Sequence, residues 1–565
     1  MSPPEPATSP SQNVTLAALI DDLSARHGNR DALIWADGKM SFRQLGERAS
    51  EIACGLSTLG ARKGTRLGIL MPNRADWLAI AFAAWKIGAV VVPLNTLSRK
   101  PELEHALRYA DVTILVTVPT FLKHNYIEMV TEICGLFTPS PANSRERVGV
   151  RATATSNAKL KTPNFARHCA TLRRVIASTS ELDDLVASGQ TATPRWLKAM
   201  QSTVADTDIA AIFFTSGTTA LPKGVVHTHA SMLHAANNVG EALGLTEDDR
   251  TWGYLPFFFT GGLVAVALAT LSRGGAVLLQ EVFDAGEALE LMSAHRCTTL
   301  FAWPHQAEAL IAHPDFETTR LYLRKGVGAN TKWASRLYPP DHQAVGTWGM
   351  TESGPMATAS SYDEPQEIRA GAHGRARPGV ELRVIDPDTG RELGAGEEGE
   401  LLIRGVPLMQ QYYKVARGEC FDADGFFHTG DLARIDAGGL LHFLGRLKDV
   451  IKTAGVNVAA AEVEAVLQQH PSVKVAHVVG VVQATRGENV AAAVILEAAD
   501  LQSSRATNDE QRATQLRDFC SRQLATYKVP RHFIFMAEAE LPTLGSGKVD
   551  KKTLRKMIEE TVPKP

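Results

Sequence analysis

The chain has no cysteine framework. Its six cysteines (Cys54, Cys134, Cys169, Cys297, Cys420 and Cys520) are scattered over 565 residues, and no two form a CxxC pair. This suggests neither a zinc site nor a disulfide scaffold, and a reducing, cytoplasmic setting is expected. Long hydrophobic runs are also missing. The longest apolar stretches, residues 77–94 and 261–271, are interrupted by Lys86 and stopped by Arg273. Both fall short of the ~18 uninterrupted apolar residues of a membrane span, so no transmembrane segment is expected. There is no excess of charge of one sign: the formal net charge is −2, which gives no reason to expect nucleic acid or an acidic membrane surface as a partner. Residues 1–12 are rich in Pro and Ser but lack a basic stretch followed by an apolar core. They read as a disordered tail, not a signal peptide.

What is present is a long soluble chain of ordinary composition, with 44% hydrophobic and 21% charged residues, long enough for about three or four folding units. Up to about residue 118, helix and strand patterns alternate. Residues 16–27 read as an amphipathic helix, 66–71 as a buried strand ended by Pro72, 77–87 as a helix stopped by Gly88, and 89–93 and 113–118 as further strands. Such alternation argues for parallel, doubly wound α/β structure. Residues 136–170, in which Pro, Ser, Asn, Arg and Lys dominate from Thr138 to Thr162, read as a partly disordered surface excursion. The α/β pattern resumes with a helix over 231–243 and strands over 251–255, 276–279 and 298–302. Between about 359 and 436 short strands and turn residues suggest a small β-rich unit. Beyond Gly445 a compact α+β pattern follows. The charged, glycine-led stretch 445–449 reads as a hinge.

Five stretches carry candidate chemistry. The first is Thr215-Ser216-Gly217-Thr218-Thr219-Ala220-Leu221-Pro222-Lys223-Gly224, after the apolar run Ile209–Phe214. Such a loop can aim N–H groups, hydroxyls and a lysine at a phosphate. It is not a Walker loop, because its lysine precedes its glycine; an ordinary polar turn is the competing reading. The second is Thr347-Trp348-Gly349-Met350-Thr351-Glu352-Ser353. It offers a ring for a purine, a hydroxyl, and a carboxylate that is either a solvated charge or a Mg²⁺ ligand. In the third, His428-Thr429-Gly430-Asp431, the aspartate is either a turn residue or an acceptor for ribose hydroxyls. The fourth runs from Gly445 through Arg446, Lys448, Thr453, Ala454 and Gly455 to Asn457, and the fifth is Gly545-Ser546-Gly547-Lys548. The fourth either carries charge into a functional loop or is an exposed charged turn, and the fifth is either a mobile lysine that can be delivered to a site or a floppy tail lysine.

Together, in this order and spacing, the five stretches resemble the adenylate-forming superfamily of acyl-CoA synthetases, peptide-synthetase adenylation domains and luciferases. The resemblance spans nearly the whole chain, from about residue 16 to 558. It implies a large α/β N-terminal domain (13–445) of two doubly wound sheets plus a small β-barrel. A hinge at 446–449 and a small mobile α+β C-terminal domain (450–560) would follow. The implied reaction is ATP-dependent adenylation of a carboxylic acid with pyrophosphate release. Coenzyme A then displaces AMP to form a thioester.

The resemblance also assigns roles. Thr215, Ser216, Gly217, Thr218, Thr219 and Lys223 would hold the β- and γ-phosphates. Glu352 would bind Mg²⁺ and Thr351 would contact the α-phosphate. Trp348, with Gly349 and Met350, would pack on adenine. Asp431 and Arg446 would take the ribose, and Lys548 would orient the attack. Lys448 would be the hinge residue, and Gly455 and Asn457 would line the thiol's path. Phe258, Phe259, Thr260, Gly261 and Gly262 would line the acyl pocket with Trp303, His305, Gly326 and Gly328. This lining suggests an apolar acid: fatty, aryl, alicyclic or steroid side-chain. An amino acid is disfavoured, because no Asp stands in 257–262 to meet an ammonium group. Phe259 stands where many acyl-CoA synthetases have His, Ala220 where the family has Gly, and Ala454 where it has a second Gly.

Two other readings stay open: an adenylating enzyme that loads a separate carrier protein, and a nucleotide-binding regulatory protein that no longer catalyses. A homodimer also stays open. The His227-Thr228-His229 pair would sit on one face if the strand continued through it, but no third residue suggests a metal site.

Overall fold

The computed structural model describes residues 15–134, 171–191, 194–215, 222–329, 331–453, 456–483, 487–497, 505–524, 526–543 and 549–561. It divides into two compact units. The first comprises Met1–Gly371, Arg377–Val380 and Gly405–Cys420; the second comprises Ala372–Ala376, Glu381–Arg404 and Phe421–Pro565.

The first unit is built on two sheets. In the seven-stranded sheet Arg66–Leu70 lies between Val90–Pro93 and Ile114–Thr117, parallel to both. Ile209–Phe214 adds parallel to Val90–Pro93. Gly224–Thr228 and Gln411–Tyr412 then extend that edge antiparallel. These central strands read as unbroken apolar runs because helices cover both faces. Helix Ala75–Lys86 is buried from Trp77 onward, and Trp85 Nε1 donates to the Ala210 carbonyl at 2.9 Å. Lys86, only 2% exposed, is paired with Asp21, as a buried charge must be. The second sheet orders Lys325–Gly326, Thr299–Leu300, Arg250–Trp252, Ala276–Leu278 and Asp31–Trp35 in parallel, with Gly38–Ser41 as an antiparallel edge. One apolar core containing Phe42, Trp77, Phe82, Phe213, Phe257 and Val266 fills the first unit's centre.

The second unit holds two sheets of its own. An antiparallel sheet orders Val380–Ile385, Gly399–Gly405, Phe427–Ile435 and Leu441–Arg446. A second sheet pairs Val473–Gln483 with Gly487–Leu496, which also takes His532–Phe535 in parallel. Helices Ala460–Leu467 and Arg505–Ser521 belong to this half. The class is therefore the expected α/β one, with a small α+β C-terminal part.

His227 and His229 do not share a strand: Gly224–Thr228 ends there, and Thr228 caps helix His229–Ala242 by accepting the N–H of Ser231 at 3.1 Å. The period changes from two to 3.6 between the histidines, so their rings part. His229 Nδ1 accepts the N–H of Leu16, while His227 turns to Thr351. Among the described residues no His, Cys, Asp and Glu cluster could hold a metal ion, and no helix is long and apolar enough to cross a membrane. The expected surface excursion at 136–170 lies outside the described residues.

Candidate active site

The phosphate-type loop leaves one strand and returns as the next. Thr215 N–H donates to the Lys223 carbonyl at 3.1 Å, closing the loop where the antiparallel pair Ile209–Phe214 and Gly224–Thr228 begins. Thr215 is half-buried and Lys223 exposed. Ser216, Gly217, Thr218 and Thr219, with Ala220, lie outside the described residues.

The Trp348-to-Ser353 stretch forms a hairpin of Thr347–Met350 with Gly354–Ala359, tipped by a single 3₁₀ turn, Thr351–Ser353. Trp348 is 7% exposed and Glu352 likewise 7%; Gly349 and Met350 continue the strand between them. Four contacts hold the turn. Met350 N–H donates to Ser353 Oγ at 3.0 Å. His227 Nε2 lies 2.7 Å from the Thr351 carbonyl. Met409 N–H donates to the Glu352 carbonyl at 2.7 Å, and the Tyr412 hydroxyl donates to Glu352 Oε1 at 2.8 Å. A carbonyl can only accept, so His227 carries its proton on Nε2. Burial pushes this imidazole down to about 4, against the opposing pull of the Thr351 carbonyl, and it is neutral at pH 7.

Across the Gly224–Thr228 strand the arrangement reaches back to the loop. Gln410 N–H donates to Val226 O and Tyr413 N–H to Gly224 O, both at 2.7 Å. The Lys223 ammonium sits 4.7 Å from the centroid of the Tyr412 ring. The structure thus brings Thr215, Lys223, Trp348, Gly349, Met350, Thr351 and Glu352 into one neighbourhood of the first unit.

The residues expected to line the acyl pocket adjoin this neighbourhood. Phe258 and Phe259 meet tilted at 4.5 Å between ring centroids, Phe259 meets Trp303 at 6.0 Å, and Trp303 meets His305 at 5.7 Å. Thr260 is buried, and Gly261 and Gly262 open a π-helix, Gly261–Leu268, a form frequent at functional sites. Gly326 pairs with Leu300 in the parallel sheet. Gly328 N–H donates to Val345 O at 3.1 Å, close before the Trp348 hairpin. Asn73, 6% exposed, fastens this wall: its Nδ2 donates to Leu255 O and its Oδ1 accepts the N–H of Phe257, both at 2.9 Å.

In the second unit, strand register places Asp431 opposite Arg446. Arg446 and Asp431 pair at 2.7 Å, with the carboxylate 2% exposed and the guanidinium 41%. A carboxylate paired with an arginine can still accept from hydroxyls. Lys448 is exposed on the single turn Leu447–Asp449. Gly455 and Lys548 lie outside the described residues, as does the side chain of Asn457.

Sequence reasoning missed His227 as a support, Asn73 and Tyr412. The signals were slight: an imidazole four residues past the loop lysine, an Asn directly after a strand-ending Pro72, and the Tyr412-Tyr413 pair.

Comparisons with known proteins give the family. The family model for AMP-binding enzyme matches residues 20–413, and that for the AMP-binding enzyme C-terminal domain matches 462–548. A putative acyl-CoA synthetase, YngI of Bacillus subtilis, is 30% identical over 557 residues, covering 97% of each chain. The mitochondrial medium-chain acyl-CoA ligase ACSF2 of Rattus norvegicus is 29% identical, covering 97% of this chain and 88% of its own. The crystal structure of ATP-bound MatB from Rhodopseudomonas palustris matches with a TM-score of 0.78 at 27% identity, covering 96% of this chain and 99% of that one. The chain therefore belongs to the AMP-binding enzyme family and, within the adenylate-forming superfamily, to its AMP-forming acyl-CoA ligases.

Proposed function

We propose that this enzyme adenylates an apolar carboxylic acid and then transfers the acyl group to coenzyme A. The observation that carries the substrate class is the run of Phe258, Phe259 and Trp303 rings in the acyl wall, beside two glycines. These side chains exclude water and give an ammonium group no counter-ion.

Adenylation brings two anions together, so donors and cations must lower the charge where it develops. Lys223 and the Thr215 loop hold the β- and γ-phosphates. Thr351, at the tip of its turn, meets the α-phosphate. Trp348 packs against adenine, and Asp431, fixed by Arg446, accepts from the ribose. A lone carboxylate such as Glu352, sharing a site with phosphate oxygens, suits Mg²⁺ better than an all-protein cage would. Its Oε1 held by Tyr412 is consistent with a preset ligand. When bound, the metal screens phosphate charge. Lys548 orients the carboxylate against the α-phosphate. Rotation at Lys448 then exchanges it for the thiol, which approaches past Gly455 and Asn457.

The test is ATP-dependent pyrophosphate release over a panel of fatty, aryl, alicyclic, steroid side-chain and amino acids, with and without CoA, with products weighed by mass spectrometry. The reading expects an acyl-CoA from one apolar class. Acyl-adenylate that never becomes acyl-CoA would assign the second step to a carrier thiol. Preference for an amino acid would overturn the assignment of the pocket.

A further inference from the structure

Lys223 and Glu352 have opposite charges and opposite tasks, one for phosphate and one for the metal. Left adjacent, such a pair closes into an ion pair and is lost to the substrate. Among the described residues they make no ion pair with each other, and both contact Tyr412. The ammonium lies 4.7 Å from the ring centroid, and the phenol donates to Glu352 Oε1 at 2.8 Å.

The tyrosine is itself firmly placed. Met409 N–H bonds the Glu352 carbonyl on one side of it. Gln410 and Tyr413 N–H groups bond Val226 and Gly224 on the strand that follows Lys223. The Tyr413 hydroxyl donates to Asp111 Oδ2 at 2.9 Å, anchoring the far face. Every segment that carries one of the two charges is thus tied by main-chain bonds to the stretch from Met409 to Tyr413.

We infer that Tyr412 is a positioning residue that holds the phosphate lysine and the metal carboxylate apart and preset, its ring face seating Lys223 and its hydroxyl turning Glu352 so that the second carboxylate oxygen meets the cation. The inference rests on the proposed metal role of Glu352. It separates two functions in one side chain: the hydroxyl acts on the metal, and the ring on metal-free nucleotide.

The test is direct binding, not turnover. Binding of a non-cleavable α,β-methylene ATP analogue is measured by calorimetry without divalent metal. Mn²⁺ binding to the enzyme–analogue complex is then measured by electron paramagnetic resonance. Tyr412→Phe is expected to weaken Mn²⁺ binding roughly fivefold, the worth of one hydrogen bond, with metal-free analogue affinity unchanged within about twofold. Tyr412→Leu is expected to weaken the metal-free analogue too, by roughly threefold, through loss of the cation–ring contact. Glu352→Gln separates this inference from its premise. If that variant binds Mn²⁺ like the parent, the metal role of Glu352 falls and Tyr412 with it. If it weakens Mn²⁺ binding while Tyr412→Phe does not, only the role of Tyr412 falls. Far-UV circular dichroism checks each variant's fold, and should the Leu variant misfold, the conservative Phe variant alone decides.

Discussion

The imidazole of His227 donates from Nε2 to the main-chain carbonyl of Thr351 across 2.7 Å, joining the strand that leaves the proposed phosphate loop to the turn that carries Thr351 and Glu352. The bond is partly buried, and the other ring nitrogen faces Ser231 Oγ in a buried contact at 3.2 Å. Replacing the ring by leucine leaves the carbonyl without its donor, at a cost of about 1–3 kcal/mol. His227→Leu is therefore expected to lower kcat/KM for ATP by about tenfold to a hundredfold. KM for the acid should stay within twofold, since the acyl wall does not touch this bond. His227→Gln, which can still donate, should recover part of the loss. Steady-state kinetics with each substrate varied in turn checks this, and equal damage to both KM values would show a general disruption instead.

His229 tests the electrostatics of the same strand-to-helix junction. It is fully buried, and its Nδ1 accepts the N–H of Leu16 at 3.3 Å. Burial pushes its imidazole down from 6.5 to about 4. The Asp208 carboxylate pulls it upward and Lys63 opposes that pull. The unfolded chain therefore takes up this proton near pH 6.5 and the folded chain only near 4. Stability present above pH 6.5 is lost as the pH falls toward 4, on the order of 3 kcal/mol from this group. Urea unfolding at a series of pH values should show that loss. His229→Gln should reduce the slope between pH 6 and 5 by close to one proton; an unchanged slope would remove His229 as its source.

How far these features were legible depends on distance along the chain. Strands such as Arg66–Leu70 and Val90–Pro93 were readable because each is an apolar run cut off by Pro72 or preceded by Gly88. The Trp348-to-Glu352 stretch was readable because its residues stand together on one hairpin and its turn. His227 was half-legible: Thr228 looks like another strand residue until it is seen to cap a helix. The π-helix Gly261–Leu268 was opaque because a stretch buried nearly all round carries no period. Tyr412 and Asn73 were opaque for another reason. Their partners lie 60 and more than 180 residues away, and only folding brings them together.

Two neighbouring glycines should respond differently to one methyl group. A Cβ on Gly262 would lie 2.2 Å from the Pro256 carbonyl and 2.3 Å from that of Leu255, both backbone atoms. On Gly261 it would meet only Leu255 Cδ1, at an ordinary 3.4 Å. Gly262→Ala is expected to cost about 1–3 kcal/mol of stability by overpacking and to damage turnover of every acid. Gly261→Ala should fold normally and shift the preference toward smaller acids if its methyl enters the acyl pocket. Thermal unfolding and kcat/KM across a chain-length series distinguish the two. An unshifted acid profile in Gly261→Ala would remove that residue from the pocket.

Asn73 makes the proposed acyl wall depend on a residue far from it in sequence. Its amide gives to Leu255 O and takes from Phe257 N–H, so one side chain satisfies two buried backbone groups that flank Pro256. Pro256 has no N–H of its own, and no helix or strand includes these residues. Without Asn73 both groups face an apolar interior unpaired, which costs about 1–3 kcal/mol each unless the loop moves to find water. A moved loop carries Phe257 away from Trp77, which it meets edge-on at 5.4 Å, and shifts Phe258 and Phe259 with it. Asn73→Ala is therefore expected to raise KM for the acid several-fold while KM for ATP stays near its parent value. Asn73→Asp keeps the acceptor for Phe257 N–H but loses the donor to Leu255 O and buries a charge, so it should be worse than alanine in stability. Parent-like acid KM in a folded Asn73→Ala enzyme would show that the wall stands without this clamp.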